Sequence, residues 1–271
     1  SNSEIYADQL GIRASGTGLL TVDTSILTAN ETALSISSLD SNISNSTISL
    51  HDGIGPAATL LEGTHQWNVV EITKPYSSLD TTSIGLDAWY SSIQSTSLTT
   101  NGFALGADLE DSSLHAEIGA FINGKSRGLN AVDSHLVIGT LTTTAQQYGM
   151  VLGESTVAHV EDWAANLHNT PLILEESSTA YIREFTPLNT AQGSSDAIGD
   201  GTMLFGGPTT STVSTTDSGY LYETLVSFTD VNNQPIQATA NTYGFTSIAD
   251  SNGIASLPLL SSGTMVEVLF D

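Results

Sequence analysis

Hydrophobic and polar residues alternate in short runs along almost the whole chain, and Gly, Asn, Asp and Ser separate the runs. Leu19 to Leu27, Ala33 to Leu39 and Ser46 to His51 read as early strands. Gln66 to Ile72 follows, with Trp67, Val69 and Glu71 on one face and Asn68, Val70 and Ile72 on the other. Lys74-Pro75 closes that run, because proline removes a ladder donor. His115 to Ile122 and Ser134 to Leu141 form a central pair, with Asn123-Gly124 between them as a turn. Two segments leave period two. Ser83 to Ser92 sets Leu86, Trp89 and Ile93 at helical spacing, and Thr156 to Leu167 does the same with Val157, Val160, Ala164 and Leu167. Both predict short helices at a sheet edge or sandwich end. No internal repeat of fixed period stands out, which argues against a solenoid. The pattern predicts an all-β protein of β-sandwich modules, Ig-like or jelly-roll-like, with one or two short helices.

From Thr190 to Thr216 large apolar residues thin out, interrupted by Met203-Leu204-Phe205, so a long loop and a domain boundary near Ser211 to Ser218 are expected. This divides the chain into a larger sandwich over residues 1–210 and a small β domain over 211–271. The second part alternates clearly through Tyr220 to Phe228, then turns at Asp230 to Gln234. Further runs reach Thr242 and then cover Phe245 to Ile248, Ile254 to Leu257 and Val266 to Phe270. Val226-Ser227-Phe228-Thr229-Asp230, Asn233-Gln234-Pro235-Ile236, Asp250-Ser251-Asn252-Gly253 and the strand after Gly263 come in an order that resembles the carboxypeptidase-regulatory-like and CnaB-like group of small Ig-like (prealbumin-like) sandwiches. The resemblance covers about a fifth of the chain and implies a stalk or linking module of a surface protein. The lysine–asparagine cross-link of some members cannot form inside it, since no lysine follows Lys125. Glu117 to Gly128 is similar to the Gly-Ala-Phe hairpin of some secreted β-sandwich repeats.

Charge narrows the partners. The 271 residues carry 29 acidic and 5 basic side chains, a formal net charge of −24. Such a polyanion cannot neutralise a phosphate backbone and is repelled by anionic lipid, so nucleic acid and membrane insertion are not expected. Its self-repulsion needs counterions, which points to a salty or calcium-containing medium. There is no cysteine, which removes disulfides, zinc–thiolate sites and thiol chemistry. The chain opens at Ser1 without a charged-then-apolar leader, as a processed secreted chain would. Sequons at Asn30, Asn42 and Asn45 are candidate glycosylation sites.

Nucleophile elbows, phosphate loops and zinc-protease motifs are all missing, so the expected function is not enzymatic; a glycosidase, which needs only two unmotifed carboxylates, stays behind the other readings. Calcium is the candidate ion, since it takes carboxylate and carbonyl oxygens from loops, and Asp196 with Asp200, Asp230 with Asn232, and Asp250 with Asn252 are the candidate ligands. Trp89-Tyr90 is the candidate sugar-stacking pair, because neighbours on a strand cannot both point inward. The sequence thus predicts an extracellular structural subunit of a filament, sheath or surface layer, binding copies of itself by β-strand addition with cation support. An adhesin or carbohydrate-binding module, with glycans as partners, and a viral capsid or tail protein remain alternatives.

Overall fold

The computed structural model describes residues 3–75, 82–144, 147–166, 168–175, 177–188, 195–207 and 213–270. The first strands are β1 (Ser3–Ala7), β2 (Leu10–Ser15), β3 (Leu19–Asp23), β4 (Ser25–Ala29), β5 (Thr32–Ser37), β6 (Asp40–Leu50), β7 (Pro56–Thr73) and β8 (Ile84–Asn101). They continue as β9 (Leu105–Glu110), β10 (Ser113–Ile122), β11 (Arg127–Val132), β12 (His135–Thr144), β13 (Tyr148–Gly153), β14 (Val157–Asn166), β15 (Thr170–Leu174), β16 (Thr179–Leu188) and β17 (Ala197–Phe205). The last are β18 (Val213–Ser227), β19 (Ala238–Thr242), β20 (Phe245–Ile248), β21 (Ile254–Leu260) and β22 (Glu267–Phe270).

From β1 to the first half of β18 every pairing is parallel, and each strand pairs with strands of the neighbouring coils, about one turn away in the chain. The architecture is a parallel β-solenoid of about eight turns, not a sandwich. Alternation, turn residues and strand length are the same in both folds; only the partner of each strand differs. A coil takes about 21–22 residues where Leu86, Ala107, Leu129 and Met150 stack. Longer coils, where Leu34 lies over Ala58 and Ala58 over Leu86, break that period and hide the repeat.

The two expected helices are strands β8 and β14. Each bends at a corner of the coil, where two successive residues face outward. Along β14 the buried positions are Ala158, Val160, Trp163 and Ala165, so a spacing of three interrupts the spacing of two and imitates a helical stripe. The loop expected over 190–216 contains β17 and the start of β18 instead, and residues 190–194 and 208–212 lie outside the described residues. Met203 and Phe205 are buried in the stack.

Three columns build the interior. On the first face large and small residues alternate from coil to coil: Ala58 and Leu60 lie under Leu86 and Ala88, then Ala107 and Leu109, then Leu129 and Ala131. Each leucine therefore stacks against an alanine of the next coil, so bulk is shared evenly along the core. Beside them runs a glycine column, Gly85, Gly106, Gly128 and Gly149. A Cβ on Gly106 would sit 2.4 Å from the Gly128 carbonyl oxygen and 3.1 Å from the Phe121 ring, so aromatic side chains take the volume that these residues leave. Trp163 and Phe185 stack at 5.0 Å further along.

Corners carry the other repeated device. Ser38, Glu62, Tyr90, Asp111, Asp133, Glu154 and Ser177 all have positive φ, between 41° and 59°. In the middle coils a buried hydroxyl follows. The Ser112 hydroxyl accepts from the Ser91 N–H at 3.1 Å, Ser134 accepts from Ser112 at 3.1 Å, and Thr156 accepts from Ser134 at 3.2 Å. Each hydroxyl also donates to a main-chain carbonyl just before it. The amides left over where the ladder turns are thereby satisfied.

The small Ig-like domain expected over 211–271 is likewise not found. The first part of β18 stays in the solenoid, its Ala197-facing end paired in parallel with β17, and only the second part turns antiparallel against β21. β19, β20 and β22 form a separate three-stranded antiparallel sheet. The expected boundary therefore falls inside one continuous strand. The Gly-Ala-Phe segment is no hairpin either: β10 and β11 pair with other coils, and Asn123-Gly124 turns the corner between them.

Candidate functional site

A groove runs along the outer side of the second solenoid face. One coil after another contributes an outward residue to the same column: Asn42, Gln66, Gln94, His115, Val137 and His159 are successive pairing partners. Two residues further along each strand a second outward column carries Asn68, Thr96, Glu117, Gly139 and Glu161. Parallel pairing places these groups one strand spacing apart, about 4.8 Å. Between the columns lies a depression of about 370 Å³ lined by Asn42, Gln66, Asn68, Gln94, Thr96, His115 and Glu117. The Gln66 amide donates to Gln94 Oε1 at 3.0 Å, and Thr96 donates to Asn68 Oδ1. Ser95 also lines it; its buried Oγ has no hydrogen-bond partner.

At His115 and Glu117 this depression adjoins a second of about 270 Å³, which the C-terminal sheet covers. Gly139 leaves the second column without a side chain there, and Phe245 and Gly244 approach from the β19–β20 turn. His159 anchors that turn. Its Nδ1–H donates to the Tyr243 carbonyl at 2.7 Å, and its ring stacks on Tyr181 at 4.9 Å. Burial holds the His159 pKa below that of a free histidine, against the pull of the Tyr243 carbonyl, while His135 lowers it further. Gly244, at φ 81°, is fixed by the same contact, since a Cβ there would lie 2.3 Å from the His159 ring. Beside the turn, Arg183 donates to Glu223 at 2.7 Å and 3.0 Å and to Glu161 at 3.3 Å, joining solenoid to C-terminal strands.

The residues singled out by sequence fall elsewhere. Trp89 and Tyr90 are 40% and 57% exposed, both turned outward because the corner follows Trp89. They lie on the first face and the corner after it, away from the groove. The Trp89 indole donates to Asp87 at 2.7 Å, and Asp108 and Glu110 follow on the next strand; burial, with these two carboxylates, raises the Asp87 pKa. The other two tryptophans are core residues. Asp230 and Asp250 hold their own turns: Asp230 Oδ1 accepts from the Asn232 and Gln234 amides, both at 2.8 Å, and Asp250 Oδ1 from Asn252 at 2.8 Å and Ile254 at 2.9 Å. These bonds lower both pKa values. Asp196 is buried and Asp200 exposed. Among the described residues no three His, Asp or Glu side chains are arranged to hold a metal ion. Asn42 and Asn45 are exposed, Asn42 within the groove, whereas Asn30 is half-buried with a buried side-chain oxygen. His115 and Glu117, two residues apart on β10, are both exposed on its outer face. Gln66 and Gln94 carried no signal at all, because only the coil register brings them together.

No protein-family model, curated protein or solved structure matches the chain, so neither the resemblance to Ig-like surface modules nor any other family is upheld. No helix among the described residues is long and apolar enough to cross a membrane.

Proposed function

We propose that this chain is a non-catalytic, extracellular glycan-binding module that receives sugar in the groove of the second face. One observation carries the reading: a column of amide and imidazole side chains, one per coil, bordering an elongated depression. Planar amides donate and accept side by side, as neighbouring sugar hydroxyls require. One polar group per strand spacing also matches a ligand that is itself a linear repeat. The net charge of −24 disfavours acidic sugars and leaves neutral ones. Titration of immobilised neutral glycans tests it. Gln94→Ala should weaken binding at least tenfold, and Trp89→Ala should leave it unchanged. The reverse ranking would move the site to the first face.

A second reading, a subunit joined to neighbours by strand addition, is favoured by the first coil. β1 and β2 each pair along one edge only, and Ile5, Tyr6, Leu10 and Leu19 are exposed there. An open edge with apolar side chains is a template for another strand. Sedimentation in salt and calcium tests it, and a monomer under every condition counts against it.

A further inference from the structure

The groove is not the same at its two ends. Towards Asn42 its exposed side chains are polar, with the buried Trp67 beneath them, and it has no covering element among the residues lining it. Past His115 and Glu117 the lining becomes more apolar, with Val137, Ile138, Gly139 and Phe245, and the β19–β20 turn stands across it. The turn is held in place on several sides. His159 bonds the Tyr243 carbonyl, Tyr243 and Tyr181 stack at 5.7 Å, and Phe245 is buried against the His159 ring. Any side chain at Gly244 would collide with His159, so the turn sits as close to the solenoid as a backbone can.

From this asymmetry we propose that the groove recognises the terminus of a linear, neutral glycan rather than its interior. The inference rests on the glycan-binding reading above. The chain lies along the solenoid axis over Gln66, Gln94 and His115, each coil meeting about one sugar unit. Its last unit enters the closed part, where Val137 packs against the apolar face of the ring and Glu117 and Glu161 accept from its hydroxyls. A chain that continued past the terminus would have to pass through the turn, so interior segments are excluded by volume and not by chemistry.

Stoichiometry separates the two modes. The full chain is mixed with size-fractionated, unbranched, neutral β-glucans of increasing length, and bound protein per glucan chain is read by analytical ultracentrifugation. End recognition gives a constant stoichiometry of at most one protein per recognised terminus at every length, so that binding per mass of glucan falls as chains lengthen. Bound protein that grows in proportion to chain length overturns end recognition and leaves the groove reading standing. Absence of binding to every neutral glucan, or binding that Gln66→Ala and Gln94→Ala do not reduce, overturns both. A polyuronate of matched length serves as control, and the anionic field should keep it from binding at all.

Discussion

At the scale of single residues, the interior contains two polar trios that a purely apolar core would not need. Trp67 donates to the Ser41 hydroxyl at 3.1 Å, which bonds His65 at 2.9 Å; Trp163 donates to Thr143 at 3.0 Å, which bonds His168 at 2.8 Å. His65 is fully buried, and burial lowers its pKa to about 4, against the opposing pull of Asp40 and the Glu62 backbone. A histidine whose folded pKa is depressed binds its proton more readily when unfolded, so its contribution to stability is complete above about pH 6.5 and is lost as pH falls towards about 4. The slope within that window is about 1.4 kcal/mol per pH unit. Between pH 7 and pH 5.5 urea unfolding should show a loss of about 1 kcal/mol that His65→Gln removes. An identical loss in the variant would assign it to other groups.

The coil corner is the device that turns strands into a solenoid at the scale of elements. One corner in each of the middle coils places a residue at positive φ, which exposes the following amide, and the buried Ser or Thr of the next coil caps it. Ser112 serves two coils, since it accepts from Ser91 and donates to the Ala88 and Glu110 carbonyls. Ser112→Ala leaves a buried amide without its acceptor and should cost about 1–3 kcal/mol in chemical denaturation. Ser113→Ala, at the half-buried next residue, should change stability by less than about 0.5 kcal/mol. Equal effects would mean that the ladder adds nothing beyond strand pairing. The same devices were present in the sequence as Tyr90-Ser91, Asp111-Ser112 and Asp133-Ser134, a dipeptide spacing that goes unnoticed because serine is common throughout.

Over the whole molecule, charge decides how coils and copies meet. At −24, two copies approaching edge to edge repel across more than their contact surface unless salt shortens the range, which is about 8 Å at physiological ionic strength. Strand addition at the first coil should therefore appear in sedimentation only as sodium chloride or calcium rises, and reverse on dilution. Glycan binding carries no such requirement, because a neutral ligand meets no net field. The two readings thus separate by their salt dependence as well as by their variants.

Much about this protein was settled by local chemistry. Period-two alternation made the chain all-β, Asx-rich turns formed at Asp230 and Asp250, and at least one of Trp89 and Tyr90 had to face outward because adjacent strand residues cannot both be buried. These outcomes depend on neighbours in sequence, where the physics acts over a few residues. Partner choice acts over about 22 residues and through backbone hydrogen bonds that are the same for every side chain. A sandwich and a solenoid therefore share one alphabet, and coils of unequal length erased the period that would have told them apart. Only the tertiary structure decided that Gln66, Gln94 and His115 stand in one column, since register alone, with no motif to announce it, lines them up beside a groove.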